Sequence, residues 1–158
     1  MLDVDATDAL ILLERDQRHD ATLIEIAQRL GISRNTVHAR WKRLHEAGAL
    51  RPTSSSLLPA SIGRPLTAFV TLSVSQQEIA SVYAKLGAIP EVVEAHTTTG
   101  DADLMVRVVA RDTEDLHRVT QRIQLAPGVQ RSSTMIATTE VIPQRMEPLI
   151  RALAHAES

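Results

Sequence analysis

Between residues 29 and 51 the chain carries Arg29, Arg34, Arg40, Lys42, Arg43 and Arg51 against a single acid, Glu46. So dense a cluster of cations is the electrostatic footprint that phosphate binding requires, even though the 158-residue chain has a formal net charge of −2. A second concentration of chemistry is Thr99-Gly100-Asp101-Ala102-Asp103-Leu104, where a glycine and two acids share one turn. Backbone N–H groups at a glycine can hold a carboxylate, and an aspartate can hold an ammonium. The same residues also favour a plain turn. Other chemistries are poorly served. With no cysteine, thiolate nucleophiles, thiolate metal sites and disulfides are excluded. The histidines at 19, 38, 45, 96, 117 and 155 do not combine with a third His or acid at metal-ligand spacing. No serine has a nucleophile-elbow setting and no Gly-rich phosphate loop is present. Asp112, Glu114 and Asp115 crowd a helix start, where the helix dipole favours acids. Neither a catalytic residue nor a metal site is expected.

The basic stretch must be positioned by helices. Asp5 is a suitable N-cap for a first helix, and Thr22 with Glu25 forms a capping box opening a second. Gly31 stops that helix, Ser33 caps a third running to about Glu46, and Gly48 ends it. Two helices joined by so short a Gly-containing turn must cross steeply, which is the helix-turn-helix arrangement. Val37, Trp41 and Leu44 recur at i, i+4 and i+7 and form the inward stripe, so Trp41 belongs to the core. Asn35, His38, Ala39 and Lys42 then point outward, with Arg34 at the exposed N-terminal end. That face is small, polar and basic, as a major groove requires. The expected DNA-contacting set is Arg34, Asn35, Thr36, His38, Arg40, Lys42 and Arg43. Arg34, Asn35 and His38 lie closest to base edges.

Residues 51–65 contain three prolines and the run Ser54-Ser55-Ser56, and read as a hinge with a short linker strand or wing. Beyond them, two similar halves are offset by 37 residues: Ile89-Pro90-Glu91-Val92 recurs as Ala126-Pro127-Gly128-Val129, and Thr97 matches Thr134. Each half reads strand, helix, strand, giving the ferredoxin-like βαββαβ order. The overall class is therefore α+β: a winged helix-turn-helix over 1–50, a linker over 51–65, a ferredoxin-like domain over 66–142 and a C-terminal helix over 143–158. In that last helix Met146, Leu149, Ile150 and Leu153 form a stripe that packs on the body or on a partner. Aromatic residues are limited to Trp41, Phe69 and Tyr83, so the core is aliphatic. The sheet face not covered by helices is expected to be aliphatic too, and to pack on a second copy. The longest apolar runs are too short to cross a bilayer, and the acidic N-terminus lacks a signal-peptide pattern, so a cytoplasmic location is expected.

The combination Glu25-Ile26-Ala27, Gly31-Ile32-Ser33, Val37, Arg40, Arg43-Leu44 and Gly48, followed by Leu57-Leu58-Pro59 and Ile62-Gly63, resembles the Lrp/AsnC family of leucine-responsive or feast-famine regulators. The order and spacing of the second half match that family's ligand-binding domain, so the resemblance covers nearly the whole chain. It implies a DNA-binding transcriptional regulator without a cofactor, tuned by an amino-acid effector. It further implies homodimers that assemble into larger species, an octamer among them. In that family a Gly-x-x-Asp loop helps bind the effector between subunits, and Gly100 and Asp103 match it. The effector site expected on that basis is Thr99, Gly100, Asp101, Asp103, Leu104 and Thr134. Two departures stand out. Arg18-His19-Asp20 reverses the family's Asp-x-Arg before the second helix, and Ala102 replaces a frequent aromatic residue. A rival resemblance is to the siroheme decarboxylases, which place tetrapyrrole chemistry on a similar two-domain chain. The basic third helix with its polar outward face argues against that reading.

Overall fold

The computed structural model describes residues 3–155, which form two compact units. The first combines the chain up to Ser55 with the segment from Ile142 onward; the second is Ser56–Val141.

The first unit opens with α1 (Ala6–Gln17), α2 (Leu23–Leu30) and α3 (Arg34–Glu46). Reciprocal capping starts α1: the Asp8 N–H donates to Asp5 Oδ1 at 2.9 Å, and the Asp5 N–H donates to Asp8 Oδ2 at 3.2 Å. Thr22 and Glu25 do the same for α2, which ends at Gly31 with φ +65°, a conformation that disfavours any side chain. Ser33 Oγ then accepts the Thr36 N–H at 3.0 Å and starts α3. Ile11, Ala21, Ile26, Ala27 and Val37 form the buried centre, with Trp41 packed against it as its register predicts. The Arg15 guanidinium lies 5.6 Å from the Trp41 ring centroid, covering the indole's open face.

One expectation changes here. Residues 51–65 contain no strand; Thr53–Ser56 and Pro59–Ile62 are single 3-10 turns. Pro52, Pro59 and Pro65 lack the N–H that a ladder needs. The C-terminal helix, expected over 143–158, spans Glu147–His155 (α6) among the described residues, and it packs along α1 on the body of the first unit, one of the two placements expected for it. Only part of its apolar stripe faces inward: Ile150 is half-buried, whereas Met146, Leu149 and Leu153 remain exposed.

The second unit contains β1 (Leu66–Val74), α4 (Ile79–Gly87), β2 (Val92–Thr97), β3 (Leu104–Ala110), α5 (Thr113–Gln124) and β4 (Val129–Ile136). Its strands are ordered β2-β3-β1-β4 with every pairing antiparallel, the ferredoxin-like sheet that the internal repeat predicts. Ala68, Val70, Leu72 and Val74 of β1 join Leu104, Val106, Val108 and Ala110 of β3 in a core completed by Val82, Leu86, Leu116, Val119 and Ile123 from the helices. The opposite sheet face is mixed rather than aliphatic. The alternation of β1 places Thr67, Phe69, Thr71 and Ser73 there, in register with Met105, Arg107, Arg131, Ser133 and Met135.

At the start of α5, Asp112 and Asp115 are structural. Asp112 accepts the Asp115 N–H at 2.8 Å, and buried Asp115 receives Arg111 at 3.2 Å and Arg118 at 3.0 Å. The Arg111 side chain, then its backbone N–H, then the nearby Arg118 charge hold the Asp115 carboxyl down from the ordinary 3.8 to about 2. A depressed carboxylate contributes stability that is complete above its unfolded pKa and disappears as pH falls through the folded one. Thermal unfolding followed from pH 5 to about pH 2 should therefore lose stability below about pH 4. Asp115→Asn should flatten that acid limb; an unchanged limb would remove Asp115 as its cause.

Candidate nucleic-acid interface and effector loop

The first half of α3 is the free part of the basic stretch. Arg34, Asn35, Thr36 and His38 are all exposed, on a helix fixed by the Ser33 cap and by Val37 and Leu44, which are fully buried. The Thr36 hydroxyl is engaged locally with Ser33 Oγ at 2.8 Å, which leaves Arg34, Asn35 and His38 as the groups able to reach outward. An arginine, an amide and an imidazole are donors and acceptors suited to base edges in the major groove.

Most of the remaining cations are paired within the helical unit. Arg29 meets Glu14 at 2.7 Å, Arg40 meets Asp8 at 3.1 Å and also Asp5, and Arg43 meets Asp8. The Arg40 hydrogen bond, followed by the Asp8 N–H, holds Asp5 below the usual carboxylate range, and Arg40 is raised in turn. Arg40 and Arg43, expected to contact phosphate, are thus drawn onto α1. Lys42 pairs only with Glu46, at 3.7 Å, with both side chains about two-thirds exposed. A pair so exposed is weak, so Lys42 remains available to phosphate. Among the described residues Arg34 and Arg51 have no ion-pair partner.

In the connection from β2 to β3, Gly100 has φ +113°, a conformation that explains the glycine. Thr98 Oγ1 donates to the Ala102 carbonyl at 2.6 Å, and the Thr98 N–H donates to the Asp103 carbonyl at 2.9 Å. Asp103 is occupied at the end of β1, where its Oδ2 accepts the Val74 N–H at 2.8 Å and its own N–H donates to the Leu72 carbonyl at 2.9 Å. Leu104 is in the core, with 1% of its surface exposed, and its side chain packs away from the loop. Thr99 and Thr134 are exposed.

Of the expected effector residues, Asp101 lines a pocket of about 300 Å³, together with Ala102, Thr71, Ser73, Arg131 and Ser133. An acid and an arginine among hydroxyls suit the ammonium and carboxylate of an amino acid. Arg131 was not visible as a site residue in the sequence, because only the register of β4, which sets it opposite Ser73, brings it there. A larger groove, about 580 Å³ along α4 and β2, is lined by Tyr83, Leu86, Val93, Ala95 and His96, with Leu104 the one expected effector residue at its wall. Among the described residues no group of three or more His, Cys, Asp or Glu could hold a metal ion, and no helix is long and apolar enough to cross a membrane.

Comparison with known proteins follows the same division. Residues 6–51 match a winged helix-turn-helix DNA-binding domain, and residues 67–147 match the Lrp/AsnC ligand binding domain. The HTH-type transcriptional regulator FL11 of Pyrococcus horikoshii is 31% identical over 125 residues, covering 79% of this chain and 82% of the relative. Escherichia coli AsnC superposes with a TM-score of 0.83 at 26% identity, covering 93% of this chain and 100% of that one. The feast or famine regulatory protein of Mycobacterium tuberculosis, complexed with L-methionine, superposes with a TM-score of 0.80 at 26% identity, covering 91% and 98%.

Proposed function

The chain belongs to the Lrp/AsnC family, and on that premise we propose that it is a sequence-specific DNA-binding transcriptional regulator tuned by an amino acid or related small metabolite. The observation that carries this reading is the unpaired first half of α3. Its packed side and N-cap are fixed, while Arg34, Asn35 and His38 stay exposed. Affinity comes from phosphate contacts by exposed cations such as Lys42, and sequence discrimination from base edges. The L-methionine held by the mycobacterial relative supports an amino-acid effector. In this chain the effector meets Asp101, on a loop shaped by Gly100 and Asp103, and Arg131 of β4. Duplex DNA, the effector and further copies of the chain are the partners; no resident cofactor takes part, and the work is done in the cytoplasm. The mixed sheet face supports assembly less strongly than an aliphatic one would, so the homodimer and larger species rest on the family premise.

One pair of measurements tests the proposal. The purified protein should select a reproducible duplex from a random pool. One or a few of the twenty amino acids should raise its melting temperature, since a ligand at 100 times its Kd adds about 2.7 kcal/mol to the folded state. Recovery of unselected sequence alone would exclude a sequence-specific reader, and a flat screen would exclude the amino-acid effector.

A further inference from the structure

Asp8 is fully removed from solvent in a unit whose core is otherwise apolar. Its Oδ1 accepts from Arg40 Nη1 at 3.1 Å, while its Oδ2 accepts the Asp5 N–H at 3.2 Å and meets Arg43 Nη2. Arg40 also reaches Asp5. A buried carboxylate needs compensation, but one arginine would neutralise it. Here two arginines of the DNA-reading helix converge on two acids of the α1 start, and their charges cancel. Arg43 is nonetheless 45% exposed at its side chain, so it lies within reach of an outside anion if released.

Phosphate contacts add affinity without sequence information, whereas base contacts discriminate. An arginine released to phosphate therefore strengthens binding to every duplex alike. We propose that Asp8, on α1, is a positioning residue that sets the specificity of the DNA-reading helix α3. It retains Arg40 and Arg43 against α1, leaving recognition to Arg34, Asn35 and His38. The inference rests on the DNA-binding reading above and adds to it a restraint on non-specific affinity.

The test uses the full chain and two probes, a duplex selected from a random pool and a shuffled duplex of equal length, each titrated at several salt concentrations. Each phosphate contact contributes about −0.9 to the slope of log affinity against log salt. Asp8→Asn should steepen that slope by about one, raise affinity for the shuffled duplex several-fold and lower the ratio of selected to shuffled binding. Arg43→Gln should leave the slope at its wild-type value, whereas Lys42→Gln should flatten it by about one. A folded Asp8→Asn variant with wild-type slope and ratio overturns the proposal; a purely structural role would lower the melting temperature and move neither. Flattening by Arg43→Gln equal to that by Lys42→Gln overturns it as well. Should Asp8→Asn fail to fold, as circular dichroism would reveal, the Arg43→Gln and Lys42→Gln comparison decides alone. Wild-type protein that binds neither duplex overturns the regulator reading and this inference together.

Discussion

Arg34→Ala/Asn35→Ala should weaken binding to a selected duplex by about 2–6 kcal/mol, if each side chain contributes the ~1–3 kcal/mol of a good base contact and the two act independently. Binding to shuffled DNA should change far less, because Lys42 and the other phosphate contacts remain. The helix should survive the change. Both side chains are exposed, the Ser33 cap bonds the Thr36 N–H, and the core contacts come from Val37 and Leu44. Alanine is also the better helix former at both positions. Equal losses on selected and shuffled duplexes would mean that these residues contact phosphate. No loss on either would move the reading face elsewhere.

The second large effect concerns the effector, and the structure separates two residues that the sequence alone could not. Arg131→Gln should remove the thermal shift produced by the effector and weaken its binding about ten- to hundredfold, the value of roughly 1.5–3 kcal/mol for a hydrogen bond to a charged group. It should leave the melting temperature of the free protein nearly unchanged, since Arg131 is exposed on β4. Asp103→Ala should behave differently. It deprives the Val74 N–H of its acceptor and should cost about 1–3 kcal/mol of stability with or without effector. Calorimetry alongside thermal unfolding checks both. Wild-type effector affinity in Arg131→Gln would exclude the pocket beside Asp101 as the binding site.

What could be read in the sequence was local or periodic. The caps at Asp5, Thr22 and Ser33 depend on residues three apart, and the stop at Gly31 on one backbone conformation. The sheet could be inferred because the 37-residue repeat spells out strand, helix and strand twice. Features made by chain segments meeting from far away were not legible. Arg40 and Arg43 look like free cations until α1 brings Asp8, 32 and 35 residues earlier, against them. Asp103 resembles a ligand group until the end of β1 supplies the Val74 N–H. Leu104 follows the loop in sequence, but strand alternation turns it into the core. The linker resembled a strand because its prolines and serines exclude a long helix, and short 3-10 turns satisfy the same local constraints.

The helical unit draws on the segments on either side of the sheet unit. Synthesis runs in one direction. As the nascent chain lengthens, Ser56–Val141 is complete before Glu147–His155 are added. Until α6 emerges, the surface of α1 that it covers stays bare, on the helix whose Asp8 holds α3. The DNA-reading unit is thus interrupted by the sheet unit and is completed only after it. A prematurely terminated polypeptide would thus carry an intact sheet domain behind an unfinished reading head.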